Sequence, residues 1–147
     1  MKRFDFPLER VLRWRQEQAA LEELKLQQLH AEMTRLVAAQ HKMQADAAES
    51  HQYVFQGARV DSLILESLDS YREYTAGQIR NLQVRQRQWE AKIAEQLRRV
   101  MEARRRSELF ERLRQDALQR WRAAANKEQE DLAAELFLAK RRRKLLT

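Results

Sequence analysis

The chain's only imidazoles are His30, His41 and His51, separated by 11 and 10 residues. Two metal ligands on one helix face need a spacing of three or four, so these read as surface or seam-flanking histidines. Cysteine is absent, which removes disulfides, thiolate nucleophiles and thiolate metal sites and suits a reducing compartment. The two glycines, Gly57 and Gly77, cannot make a glycine-rich phosphate loop, so the chain is not expected to hydrolyse ATP by itself. Carboxylates are plentiful, yet a narrow helical pair encloses no pocket in which to dry them for acid–base work. The expectation is a protein that is not an enzyme and holds no metal and no cofactor.

The elements that must carry any function follow from composition. Among 147 residues there are 2 glycines, 1 proline and 35% charged side chains. That leaves little turn chemistry for sheets and favours helices rich in Ala, Leu, Glu, Gln, Lys and Arg. Stepping alternately three and four residues from Leu26 reaches Leu29, Met33, Leu36, Gln40, Met43 and Ala47 without meeting a charge. The same stepping from Ile79 gives Leu82, Gln86, Trp89, Ile93, Gln96, Val100, Ala103, Ser107 and Phe110. A period of 3.5 is the mark of a coiled coil. Between the ladders, Ser50 to Ser62 holds Tyr53, Val54, Phe55 and Gly57, with Asp61 or Ser62 available to cap a new helix. The expected fold is all-α, one coiled-coil domain over 1–147: a helix over about 6–54 capped by Asp5, a turn over about 55–61, a helix over about 62–140, and a basic tail over 140–147. The two helices pair antiparallel. Gly77 is a rival turn, but one interior glycine costs only about 1 kcal/mol against alanine and does not break a long helix.

At 1.5 Å per residue such helices measure roughly 75 and 120 Å and cannot match end to end. Folding back at Gly57 sets Leu8 near Phe110 and leaves the chain after about Leu113 without a first-helix partner. Ala117, Leu118, Trp121, Ala124, Leu132, Leu136 and Leu138 recur along that overhang. An apolar side left bare calls for a cover, either a partner protein or a second copy in a homodimer.

Charge is divided unevenly. Residues 1–58 hold 8 basic and 8 acidic side chains, and residues 59–147 hold 21 and 14, so the net +7 belongs to the second helix. A partner there is expected to be acidic. The runs are Arg98 and Arg99, Arg104 to Arg106, and Lys140 to Lys144. Consecutive arginines turn about 100° per step and so form a collar, or simply a solvated face. The last run also offsets the helix dipole, but five cations exceed what that needs. Nucleic-acid binding is the rival reading of a pI near 10.1. Against it, Glu90, Glu95, Glu102, Glu108 and Glu111 interleave with the arginines, and no basic region leads into a zipper. Asp5, Pro7 and Glu9 interrupt the amino terminus before any apolar stretch of signal-peptide length. No segment approaches the roughly 20 apolar residues of a membrane span, and a soluble, cytoplasmic protein is expected.

The opening Phe4-Asp5-Phe6-Pro7-Leu8-Glu9-Arg10-Val11-Leu12-Arg13, followed by Arg15, resembles the F-x-F-x-L-x-x-V-L-x-x-R start of the FliJ family of the flagellar type III export apparatus. The likeness extends loosely over the whole chain, through its length, two-helix pattern, central tyrosines and late basic helix. It implies an antiparallel coiled coil similar to a rotary ATPase stalk, inserted by its terminal end into the hexameric ring of the export ATPase. It also implies contacts with the cytoplasmic domain of the membrane export gate and with export chaperones, at the inner face of the cell membrane. Carried onto this chain, the ring contacts fall on Phe4, Arg10, Arg13, Trp121, Arg122, Lys140, Arg141, Arg142, Arg143 and Lys144. The gate contacts fall on Tyr53, Phe55, Tyr71, Tyr74 and Ile79, as an exposed patch, although Tyr71 and Ile79 fit the seam equally well. A structural coiled coil, or the stalk of a non-flagellar secretion system, shares the same pattern.

Overall fold

A computed structural model describes residues 2–57 and 61–147. The described chain is two helices, α1 (Glu9–Gln56, 48 residues) and α2 (Ser62–Leu146, 85 residues), and it contains no strand. They form an antiparallel coiled coil in which α2 is the longer and extends past the start of α1.

The start of α1 departs from expectation. Glu9 N donates to Phe6 O at 3.1 Å and Leu12 N to Leu8 O at 2.9 Å. Leu8 therefore accepts the first helical hydrogen bond, and Asp5 does not cap the helix. Pro7 is the reason. It stands second in the Phe6-to-Glu9 turn, where its fixed φ is favourable and its missing N–H costs nothing.

At the other end α1 runs through Gln56, and Gly57 follows as a bend without positive φ. Residues 58–60 of the expected turn lie outside the described residues. The start of α2 is capped by Asp61, whose carbonyl accepts from Leu65 N at 3.1 Å and whose carboxylate accepts from Ser62 N at 2.8 Å. Gly77 sits inside α2, and the helix continues through Lys140 to Leu146 without a break.

Burial follows the three-four ladders. In α1 each position from Leu26 to Ala47 on the ladder is half-buried, its neighbours exposed except for Val37 beside Leu36, and the same phase continues through Ser50 to Val54. In the other direction it runs back through Glu22, Ala19 and Arg15 to Leu12. In α2 the ladder is half-buried or buried from Thr75 through Ile79 to Phe110, Arg114, Ala117 and Trp121, with Val100 fully enclosed.

Contacts divide the chain into two units, Met1–Ala19 with Glu102–Thr147, and Ala20–Met101. In the first, Gln16 reaches Glu111 and Glu9 reaches Arg114, so partner numbers fall as α1 numbers rise. In the second, the Gln96 amide donates to Glu22 O at 3.0 Å and also to the Glu22 carboxylate. A polar pair inside a seam fixes which residues face each other, because slipping the register leaves both unpartnered.

Candidate functional site

The terminal unit gathers several of the residues singled out for ring contact. Phe6 is buried and Phe4 half-buried, apolar side chains that bring the non-helical segment before α1 down onto α2. The Phe4 ring meets Trp121 edge-on with centroids 5.9 Å apart, and the Arg114 guanidinium lies 5.7 Å from the Phe4 centroid. Trp121 Nε1 donates to Lys2 O at 3.1 Å, and Arg114 Nε to a Glu9 carboxylate oxygen at 3.0 Å. Phe4 and Trp121 thus serve first to pin the amino-terminal segment. Arg10, Arg13 and Arg122, in the same unit, are exposed.

This arrangement corrects the expected end of the covered seam. Arg114, Ala117, Leu118, Trp121 and Ala125 remain half-buried, whereas coverage was expected to stop near Leu113. Counting only helical residues as partners overlooks Phe4 and its neighbours, which are not helical and still pack. Ala124, one step off the ladder, is exposed.

Beyond Ala125, every residue of 126–147 is exposed although the segment is helical. It carries Leu132, Leu136 at 64% exposure, Phe137, Leu138, Leu145 and Leu146 at 83%. At 100° per residue, Leu138 and Leu145 lie opposite Leu132 and Leu136, while Lys140 to Lys144 are spread round the circumference. A helix end with apolar and cationic side chains on all sides suits an enclosing, acidic surface better than a flat one.

The second unit holds the other candidates. Tyr53, Phe55 and Tyr74 are exposed at 82%, 54% and 63%, and Tyr71 is borderline at 38%. The Phe55 ring meets His51, one turn back on α1, edge-on at 4.5 Å. Ile79 does not belong to this exposed set. It occupies the α2 ladder and is half-buried between Thr75 and Leu82, the ordinary place for a branched apolar residue at that phase.

Two seam charges were not anticipated. Glu22 accepts from Gln96, and this hydrogen bond, with Lys25 and Arg99 nearby, holds its carboxyl below the usual glutamate range against the opposing effect of burial. Arg15 has a buried Nε without a hydrogen-bond partner, its guanidinium stacked 4.7 Å from the Trp14 centroid. Extending the three-four stepping backward from Leu26 would have found both. Among the arginine runs, Arg98 and Arg99 flank Glu95 at 2.8 and 3.6 Å, and Arg106 meets Glu102 at 2.8 Å, all exposed pairs within one helix. The Arg98 hydrogen bond is the main reason the Glu95 carboxyl is also lowered.

Among the described residues no group of three or more His, Asp or Glu is placed to hold a metal ion, and no helix is long and apolar enough to cross a membrane. No protein-family model, no curated protein and no solved structure matches the chain.

Proposed function

We propose that this chain is a non-enzymatic component of a flagellar type III protein export apparatus, at the cytoplasmic face of the membrane. It acts there as a stalk, its terminal unit seated in the hexameric ring of the export ATPase, and couples that ring to the export gate and to export chaperones. The observation that carries this reading is the segment 126–147, helical through Leu146, which is covered by none of the described residues and keeps Leu132, Leu136, Leu138 and Leu146 exposed beside five consecutive cations. A ring lumen with an acidic lining would bury both kinds of side chain at once. The F-x-F-x-L opening supports the same reading, since Phe4 and Phe6 are what anchor the terminal unit from which that segment projects. In the second unit, Tyr53, Phe55 and Tyr74 supply exposed aromatic anchors of the kind that dominate protein interfaces, and we assign the gate contact to them.

Purified chain added to the cognate export ATPase tests this. Stimulation of ATP hydrolysis is expected, and it should fall severalfold when Lys140 to Lys144 are replaced by alanine together with Leu136→Ala and Leu138→Ala. No stimulation by the wild-type chain, or full stimulation by the substituted one, refutes the ring contact. For the gate, capture by its cytoplasmic domain should weaken with Tyr53→Ala and Tyr74→Ala. Unchanged capture would rule out those aromatics.

A further inference from the structure

Residues 126–147 also carry a pattern that does not depend on an export ATPase. Beyond Ala125, Leu132, Leu136, Ala139, Arg143 and Leu146 succeed one another at spacings of four, three, four and three, a new ladder on one side of an exposed helix. Charge along the segment is split. Glu128, Glu130, Asp131 and Glu135 outweigh Lys127 in its first part, a net of −3, and Lys140 to Lys144 give +5 in its second.

We infer that this segment pairs with the same segment of a second copy, antiparallel and about a two-fold axis between Leu136 and Ala139, so that the chain forms a reversible homodimer through its overhang. In that register Leu136 of each copy packs on Ala139 of the other, Leu132 packs on the stem of Arg143, and Leu146 packs on Gln129. Arg143 keeps its guanidinium in water by snorkelling. The two-fold makes every contact occur twice. It also sets Glu135 of each copy beside the Lys140 to Arg142 stretch of the other and brings Asp131 level with Lys144. A parallel alignment would stack five cations on five cations, and like charges opposed across a helix pair select against it. The outermost layer, Leu146 on Gln129, stops short of Ala125, where the intramolecular seam ends, so dimerisation leaves the terminal unit intact.

Few layers and one charged core position make this a weak, concentration-dependent association. The dimer covers the stripe that Leu132, Leu136 and Ala139 would otherwise expose and occupies the surface assigned above to the ring. Free chain is thereby held in a self-capped form that a tighter partner displaces by mass action.

Sedimentation equilibrium of the full chain over a range of concentrations is the test. The apparent mass should rise from 17.7 kDa toward twice that value. Leu136→Asp should hold it at the monomer value. Glu135→Arg alone and Arg142→Glu alone should each weaken the dimer about tenfold, and an equimolar mixture of the two variants should recover it by pairing opposite charges across the copies. These substitutions lie on an exposed helix beyond the seam, and an unchanged helical circular dichroism signal checks that the fold survives. A monomer at every concentration overturns the inference, and so does a dimer that Leu136→Asp leaves intact or a mixture that fails to recover.

Discussion

The indole Nε1 of Trp121 donates a hydrogen bond to the carbonyl oxygen of Lys2 at 3.1 Å, across 119 residues of sequence. With the Phe4 ring packed edge-on against the same indole, this fastens the segment before α1 to α2 and defines where the free end of α2 begins. Phe4→Ala should remove the ring contact and the Arg114 stacking at a cost of about 1 kcal/mol. The sharper readout is faster hydrogen exchange at the Trp121 indole N–H, followed by NMR, with the seam near Val100 unaffected.

Among the described residues, Val100 is the one side chain fully enclosed at the seam. Val100→Ala deletes two buried methyl groups and should destabilise the fold by about 2 kcal/mol in urea unfolding. Leu138→Ala, on the exposed overhang, should change the midpoint negligibly. Equal losses at the two positions would mean that 126–147 is packed within the chain.

Gly77 lies inside α2, and a Cβ added there meets nothing within 4 Å. Gly77→Ala should therefore stabilise the protein by about 1 kcal/mol through helix propensity and reduced freedom of the unfolded chain. A higher thermal midpoint with unchanged helical content checks it.

Glu22 gives the seam a pH dependence. Because the folded carboxyl is held below its ordinary range, its contribution is fully present above the unfolded glutamate pKa and is lost as pH falls through the folded value. Wild type should exceed Glu22→Gln in urea midpoint at neutral pH, with the gap closing on acidification below the glutamate range. A gap that widens in acid has the wrong sign for this pair.

Both ladders were legible in the sequence because from Leu26 to Ala47 and from Ile79 to Phe110 they run without a charge in a chain that is one-third charged. The phase was less legible where charges enter it. Arg15 and Glu22 stand on the same α1 ladder, but a charge at a seam position looks like the end of a seam until its partner, Gln96 in the case of Glu22, is known. The helix start was displaced because Pro7 allows either a first helical turn or a tight turn before it, and the Glu9-to-Phe6 hydrogen bond chooses the latter. Ile79 was ambiguous between seam and surface for a related reason: it begins an uncharged run, and only its burial decides. The overhang was visible from helix lengths, yet its beginning depends on how far Phe4 and Phe6 extend the packing, which periodicity does not encode.

The free end of α2 is best probed by hydrogen–deuterium exchange of dilute chain, alone and with the export ATPase ring. Alone, 126–147 should exchange much faster than the seam from Ile79 to Phe110; with the ring, new protection should concentrate in 126–147. Protection that appears instead around Tyr53 to Tyr74, with 126–147 unchanged, would contradict the proposed seating of the stalk.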